Sequence, residues 1–422
     1  MPDRSLDDWL KLLQSRHPVE IDLGLERVGQ VAARLAIGAV AAKVVTVAGT
    51  NGKGSCVRTF EQLALSQGLR VATYSSPHLM RYNERIRIQG REVDDGQLCA
   101  AFAQIEAVQG NVSLTYFEVG TLAALLIMAN SALDLAVLEV GLGGRYDAVN
   151  IIDGDLAVIT PIAIDHAAWL GDSRELIAIE KAGIARAGRP LVCCDSEPPL
   201  SLRENLDTLR ARPFYINEHF QGDCVGDLLH ARFTLPSGAT KQFCDLPIPA
   251  LPLPSVLAAI QGMLILGYDV DSIALANTLS QLHLAGRYQR MQLANRLLIL
   301  DVAHNPAAAA FLAKKLVAEK RRVIAVVAIM ADKDAVGFAR ALRGAVSHWC
   351  LGDLAGNVRA LPAVELARIL DTLGCSYGCA QTLEDAFDQA VDMAENDDII
   401  MVCGSFFTLA AIGNHIGRQD EL

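Results

Sequence analysis

The segment Gly49-Thr50-Asn51-Gly52-Lys53-Gly54-Ser55 carries the residue types that bind phosphate. Glycines let a backbone pass close to phosphate oxygens in conformations that a Cβ forbids. Lys53 is expected to reach the terminal phosphates and Ser55 to ligate Mg²⁺. The spacing is not that of the common G-x-x-x-x-G-K-[ST] string, because the outer glycine is closer and Gly54 separates lysine from serine. Context decides the reading. Residues 43–47 form a β-branched run, and residues 56–67 read as a helix closed by Gly68. Strand, glycine loop and helix in that order wrap backbone N–H groups round a phosphate and add the partial positive charge of the helix N-terminus. The segment reads as an ATP site.

Further polar residues fall just past apolar strands. Residues 70–74 lead into Ser75-Ser76-Pro77-His78, residues 135–140 hold Glu139 near their end before Gly141 to Asp147, and residues 156–160 precede Pro161 to His166. Open α/β sheets bind ligands at this carboxyl edge. Glu139 is costly to bury unless a cation faces it, which makes it a Mg²⁺ candidate, with an ordinary salt bridge as the alternative. Arg145 is the kind of residue that grips a carboxylate or phosphate. A lone histidine is more often structural, but three polar strand ends aimed at one edge bring His166 into the same candidate site. Two other residues read more plainly. Asp22 is expected to cap a helix, with Glu26 and Arg27 solvated. Lys181 lies among Ile177, Ile179 and Ile184. Its neighbour Glu180 cannot face it across a helix, so it is expected to snorkel to the surface.

The elements that must position these residues alternate. Residues 1–42 read as helix, loop, helix, and residues 81–96 as a polar, flexible segment. Helices are expected from Thr115 to 128 and over 174–187, and short strands over 190–255, ending in a proline-rich rigid loop at 246–254. Helices follow at 256–266 and 271–282, and Ala285 to Arg290 looks like a join. Beyond it the pattern restarts with strands at 297–300, 323–329 and 399–402, the first leading into Asp301-Val302-Ala303-His304-Asn305-Pro306. This is the pattern of two parallel α/β units. A length of 422 residues fits two or three domains. With 52% apolar and 20% charged residues the chain is globular. The net charge of −11 argues against nucleic acid or an acidic membrane as partner, so anionic substrates must be met by locally gathered cations. The longest apolar run, 119–133, is too short to span a bilayer. The acidic N-terminus does not read as a signal peptide, and ten cysteines without paired C-x-x-C spacing read as buried free thiols. A cytoplasmic protein is expected.

Taken in order, GTNGKGS (49–55), YSSPHL (74–79), TYFE (115–118), LEVGLGGRYDAVN (138–150), IDHAAWLG (164–171), IEKAGI (179–184), AGRYQ (285–289) and DVAHNP (301–306) resemble the folylpolyglutamate synthase/dihydrofolate synthase family. That family is a branch of the Mur-ligase-like ATP-dependent amide ligases. The resemblance implies an N-terminal P-loop ATPase domain over 1–286, with a parallel-rich sheet flanked by helices. It also implies a smaller Rossmann-like glutamate ligase domain over 287–422, with the active site in the cleft between them. It assigns Gly52, Lys53, Gly54 and Ser55, with the rest of the glycine loop, to the ATP phosphates. Ser76, Glu139 and His166 are assigned to Mg²⁺, of which two ions are expected. Lys181 matches a lysine that the family carbamylates, which reverses the surface reading. Arg287 and Asp301 look like ATP contacts, with His304 and Asn305 close by. Thr115, Tyr116, Phe117 and Glu118, together with Tyr146, Asp147 and Ala148, match the stretches that hold pteroate. Asp22-Leu23-Gly24 looks like the pterin segment of bifunctional bacterial members. The family usually has an adenine-contacting asparagine where Pro254-Ser255-Val256 stands here; Ser255 can still hydrogen-bond.

The implied reaction joins L-glutamate to 7,8-dihydropteroate and to tetrahydrofolates through an acyl phosphate, in a monomer with no nucleic-acid or membrane partner. A peptidoglycan Mur ligase is the rival enzyme reading. It is disfavoured because such enzymes carry an extra substrate domain ahead of the loop, and here only 48 residues precede Gly49. A nucleotide-dependent switch would need neither His166 nor Lys181.

Overall fold

A computed structural model describes residues 4–19, 21–293 and 295–420. The chain divides into two compact units, the first ending at Leu282 and the second beginning at His283. The join lies slightly ahead of residue 286, because Gly286 already accepts a hydrogen bond from the Val302 N–H (2.9 Å) of the second unit.

In the first unit the apolar runs pair into one sheet of eight strands. These are β1 Lys43–Ala48, β2 Val71–Tyr74, β3 Ile86–Ile88, β4 Arg91–Glu92, β5 Leu135–Glu139, β6 Leu156–Ile159, β7 Pro190–Cys193 and β8 Arg212–Tyr215. Their order is β4-β3-β2-β5-β1-β6-β7-β8, with β3 and β4 antiparallel and the other neighbours parallel. Every residue of β5 and β6, and all of β1 beyond Lys43, is buried. Helices therefore cover both faces, which is why these strands read as continuous apolar runs and not as alternating ones. From β1 the chain runs toward β2 on one side, whereas from β5 it crosses to β6 on the other. This makes a topological switch at the carboxyl ends of β1, β5 and β6, the place where open α/β sheets bind ligands.

Two helices brace the loop after β1. Helix Lys53–Ser66 buries Cys56, Val57, Phe60 and Leu63. Helix Leu253–Ile265 packs on it so closely that a Cβ on Gly262 would lie 2.4 Å from Phe60 Cζ. The latter helix starts inside the proline cluster, with Pro254 in its first turn, where a missing N–H costs nothing. Residues 81–96 differ from expectation. They form a single turn, Tyr82–Arg85, and the hairpin β3–β4. Buried Glu61 of the loop helix anchors this hairpin by pairing with Arg87 of β3 (3.0 Å) as well as with Arg58. The unit is completed by a helix at Leu200–Leu209, which the sequence reading lacks, and by an antiparallel meander of β9 Phe220–Val225, β10 Leu228–Thr234 and β11 Thr240–Pro247.

The second unit has six strands: β12 Gln289–Leu293, β13 Arg296–Asp301, β14 Val323–Val327, β15 His348–Asp353, β16 Tyr377–Thr382 and β17 Ile399–Cys403. They run in the order β12-β13-β17-β14-β15-β16, parallel except for β12. Its core gathers around Phe338 and Trp349. All cysteines are free; Cys56, Cys193, Cys194, Cys350 and Cys403 are buried, whereas Cys224, Cys244 and Cys379 are exposed. Among the described residues no helix is long and apolar enough to cross a membrane.

Candidate active site

The glycine loop has the conformation its composition requires. Gly49 (φ 147°) and Gly52 (φ 89°) occupy backbone regions that side chains rarely adopt, and Gly52 opens the loop helix. A Cβ on Gly49 would lie 1.8 Å from Thr160 Oγ1, and one on Gly52 2.3 Å from Ser255 Oγ. The segment after β6 pins the loop from below: the N–H groups of Thr50 and Asn51 both donate to the Pro161 carbonyl (3.0 and 3.2 Å). Thr50 Oγ1 donates to the Ala163 carbonyl (2.9 Å) and accepts from the Ala163 N–H (3.0 Å). The hydroxyls of Ser55 and Ser255 are buried with no hydrogen-bond partner among the described residues. Lys53 Nζ donates to the Gly49 carbonyl (3.1 Å) and lies 3.4 Å from that of Thr50.

Lys181 Nζ donates to the same Gly49 carbonyl (3.0 Å), and the residue is 3% exposed. The surface expectation is therefore corrected. Helix Arg174–Ala182, shorter than expected, turns Ile177, Ala178, Lys181 and Ala182 inward together. The glycines at 144 and 183 let the loop after β5 pack on its last turn, since a Cβ at either would meet backbone atoms within 2.8 Å. Burial pushes the Lys181 ammonium down to about 7; Lys53 pushes the same way, against Asp165, Asp147 and Glu180.

The loop after β5 is held by Asp147, whose carboxylate accepts the N–H groups of Leu142 (2.9 Å) and Val149 (3.0 Å). Burial raises this carboxyl to about 6, opposed by those hydrogen bonds and by Lys53. The backbone N–H of Arg145 donates to the Glu180 carbonyl (2.8 Å). Asn150, unnoticed in the sequence, ties the Arg145 and Gly183 carbonyls together (2.9 and 3.0 Å). Glu139 is buried at the end of β5, opposite Val47 of β1. His166 has a left-handed backbone (φ 51°), and its N–H donates to Asp165 Oδ1 (2.8 Å). Ser76 lies in the loop after β2, between Ser75, whose N–H donates to the Arg85 carbonyl (2.8 Å), and Pro77. Among the described residues no three His, Cys, Asp or Glu side chains form a ready-made metal cluster. The expected set contains only two of those types, and the orphaned Ser55 hydroxyl and the buried Glu139 carboxylate are hard oxygen donors that suit Mg²⁺.

Three other expected stretches meet beside the loop after β5. Gly24 N–H donates to the Tyr146 carbonyl (3.1 Å). Arg27 pairs with Asp22 (2.8 Å) and with Glu118 (3.2 Å). Asp22 thus does not cap helix Glu26–Leu35, which starts without a side-chain cap; its carboxylate is committed to Arg27 and to His17 (3.3 Å). Thr115 and Glu118 cap helix Tyr116–Ala129 reciprocally, the Thr115 N–H donating to Glu118 (2.7 Å) and the Glu118 N–H to Thr115 Oγ1 (3.1 Å). Phe117 lies against Gly141, and Tyr146 is exposed; Ala148 is buried and Leu23 half-buried.

In the second unit Asp301 ends β13 and accepts the N–H groups of Tyr288 and Ala303 (both 2.8 Å). Burial raises its carboxyl, with Arg287 and Lys315 opposing. Arg287 lies 5.2 Å from the Phe406 ring, His304 Nδ1 sits 2.8 Å from the Val302 carbonyl, and Asn305 caps helix Pro306–Ala318 through the Ala308 N–H (2.9 Å).

A phosphate-loop α/β unit followed by a second, Rossmann-like one defines a ligase of the Mur type, and residues 286–406 match the family "Mur ligase, glutamate ligase domain". The chain is 40% identical over 413 residues to the dihydrofolate synthase/folylpolyglutamate synthase of Escherichia coli K12, covering 96% of this chain and 94% of that one. To the same-named protein of Haemophilus influenzae it is 38% identical over 426 residues, covering 96% of each. Among solved structures, Escherichia coli FolC in complex with DHPP and ADP superposes with a TM-score of 0.93 at 38% identity, covering 99% of both chains. A bifunctional folylpolyglutamate synthase/dihydrofolate synthase with Mn, AMPPNP and L-glutamate bound superposes with a TM-score of 0.90 at 40% identity, covering 98% of both. The chain belongs to the dihydrofolate synthase/folylpolyglutamate synthase family.

The Lys181 environment makes a prediction about stability. Between about pH 7 and the ordinary lysine range the unfolded chain binds a proton that the folded chain does not, so folding stability gains with rising pH across that window. Thermal unfolding in bicarbonate-free buffer will therefore show Lys181→Met more stable than the parent near neutrality, with the gap closing toward the alkaline end. Parallel curves for the two proteins would contradict a buried, uncompensated amine.

Proposed function

We propose that the chain is an ATP-dependent ligase that adds L-glutamate to 7,8-dihydropteroate, giving dihydrofolate, and to tetrahydrofolates as further γ-linked residues. One observation carries this reading. The glycine loop with its two lysines and the joined segments at Gly24, Glu118 and Tyr146 open at one carboxyl edge of one sheet. The DHPP and ADP of the Escherichia coli structure, and the nucleotide, Mn and L-glutamate of the second relative, support it.

The loop N–H groups of residues 49–55 and the N-terminus of their helix cradle the ATP phosphates. Lys53 exchanges the Gly49 and Thr50 carbonyls for the terminal phosphates. Ser255, beneath Gly52, adds a nucleotide contact, and Arg287, Asp301, His304 and Asn305 are the second unit's own candidate ATP contacts. Asp22, Leu23, Gly24, Thr115 to Glu118 and Arg145 to Ala148 receive the pteroate. The acceptor carboxylate attacks the γ-phosphorus and ADP leaves, giving an acyl phosphate. The amine of L-glutamate then attacks the acyl carbon and expels phosphate. Lys53 and the helix N-terminus offset the repulsion between the two reacting anions. Ser55, Ser76, Glu139 and His166 would hold Mg²⁺, two ions in all. Bound Mg²⁺ supplies further charge neutralisation at the phosphates.

Lys181 is the site of carbamylation in this reading. A buried amine with a pKa of about 7 is substantially neutral at physiological pH and can attack CO₂, losing a proton and becoming an anionic carbamate. That removes a buried cation from beside Lys53 and gives oxygens suited to the second metal.

Phosphate release with ATP, Mg²⁺ and L-glutamate tests the reaction, with dihydropteroate and tetrahydrofolate compared as acceptors. Release with both is expected, falling about a hundredfold or more in Lys53→Ala. Release with tetrahydrofolate alone would limit the chain to polyglutamylation, and release with neither would refute the reading. For Lys181, activity should decline in CO₂-depleted buffer and return with bicarbonate. Indifference to bicarbonate would remove the carbamate from the account.

A further inference from the structure

We propose that Arg85 grips the carboxylate of the acceptor, an inference that rests on the ligase reading above. Arg85 closes the turn Tyr82–Arg85 and is only 8% exposed, yet no Asp or Glu lies within ion-pairing distance of it among the described residues. Its neighbours in the segment differ: Arg81 pairs with Asp95 (3.3 Å), and Arg87 with Glu61 (3.0 Å) and Glu92 (3.7 Å). The contacts of Arg85 are all neutral. Nε donates to His78 Nδ1 (2.9 Å), and the guanidinium lies over the rings of Tyr82 (5.1 Å) and Tyr116 (5.6 Å). A buried cation without a counter-ion is among the costliest arrangements a fold can keep. In a chain with a net charge of −11 a carboxylate neighbour would have been easy to supply. The arrangement fits a guanidinium held flat by aromatic faces, with an edge left for a planar, two-oxygen anion.

Its position identifies that anion. Ser75, at the carboxyl end of β2, is bonded to the Arg85 backbone, and Tyr116 is the first residue of the helix whose start is assigned to pteroate. The nucleotide phosphates have their own cradle at residues 49–55. Dihydropteroate ends in a benzoate, so an aromatic ring carrying a carboxylate suits a site built from Tyr116, Tyr82 and Arg85. Because this carboxylate is the group that attacks ATP, Arg85 acts on the reacting group directly, orienting it for in-line attack.

The test compares equilibrium binding of dihydropteroate with that of its carboxamide, which keeps the shape and loses the charge. The parent protein should bind the acid about tenfold or more tightly over the amide. Arg85→Met should bind both equally, with nucleotide affinity unchanged. A loss of packing alone would weaken acid and amide together and leave their ratio intact, so an unchanged ratio overturns the assignment. Should the methionine variant fail to bind nucleotide, Arg85→Lys decides. The ratio falls severalfold if the planar fork holds the carboxylate, and stays at the parent value if it does not. A parent protein that binds neither compound would instead refute the ligase reading on which the assignment stands.

Discussion

Two lysine ammonium groups converge on one carbonyl oxygen, that of Gly49, at 3.1 Å for Lys53 and 3.0 Å for Lys181. Lys181 is buried, and the Lys53 ammonium disfavours its charge. A single carbonyl dipole cannot balance two cations, so with both lysines protonated the centre of this sheet edge is short of negative charge. The polyphosphate of a nucleotide and the proposed carbamate on Lys181 would each supply it. Asp165, Asp147 and Glu180 favour the Lys181 charge, but two of Asp147's acceptor positions are already committed to backbone N–H groups. The electrostatic imbalance thus belongs to the working of the site.

Close backbone packing makes this convergence possible. Gly49 and Gly52 leave no room for a side chain against Thr160 and Ser255, and Gly144 and Gly183 seat the last turn of the Lys181 helix on the loop after β5. The sheet supplies the frame: β1, β5 and β6 are adjacent and parallel, so the three loops that carry Lys53, Asp147 and His166 leave it at the same edge. The hairpin after β2 brings Arg85 to this edge, and its anchor is the buried pairing of Glu61 with Arg87.

The features legible in the sequence were those fixed by local backbone demands. A glycine loop between a β-branched run and a helix has few other uses, and polar residues immediately past apolar strands must lie at a sheet edge. What local reasoning missed was decided by tertiary packing. Lys181 read as a surface residue because its own helix offers no partner, but which face of that helix is buried depends on glycines elsewhere in the chain. Asp22 read as a cap because caps are the commonest use of such a residue; its actual partner, Arg27, is fixed by a second pairing with Glu118, a residue distant in sequence. The polar run 81–96 concealed a buried arginine because charge density suggests solvent, and helix Leu200–Leu209 carried no signal strong enough to separate it from the strands around it. In the second unit the Asp301 to Pro306 stretch was legible as a strand end followed by a helix start, which is how it is built.

The central claim is that the acceptor carboxylate itself attacks ATP. The most direct measurement follows oxygen: dihydropteroate carrying ¹⁸O in its carboxylate is turned over with ATP and L-glutamate, and the released phosphate is analysed by mass. An acyl phosphate leaves one carboxylate oxygen on the phosphate, so labelled phosphate should form in step with product. Product formed alongside unlabelled phosphate, with one heavy oxygen kept in the amide and the other lost to water, would contradict the account.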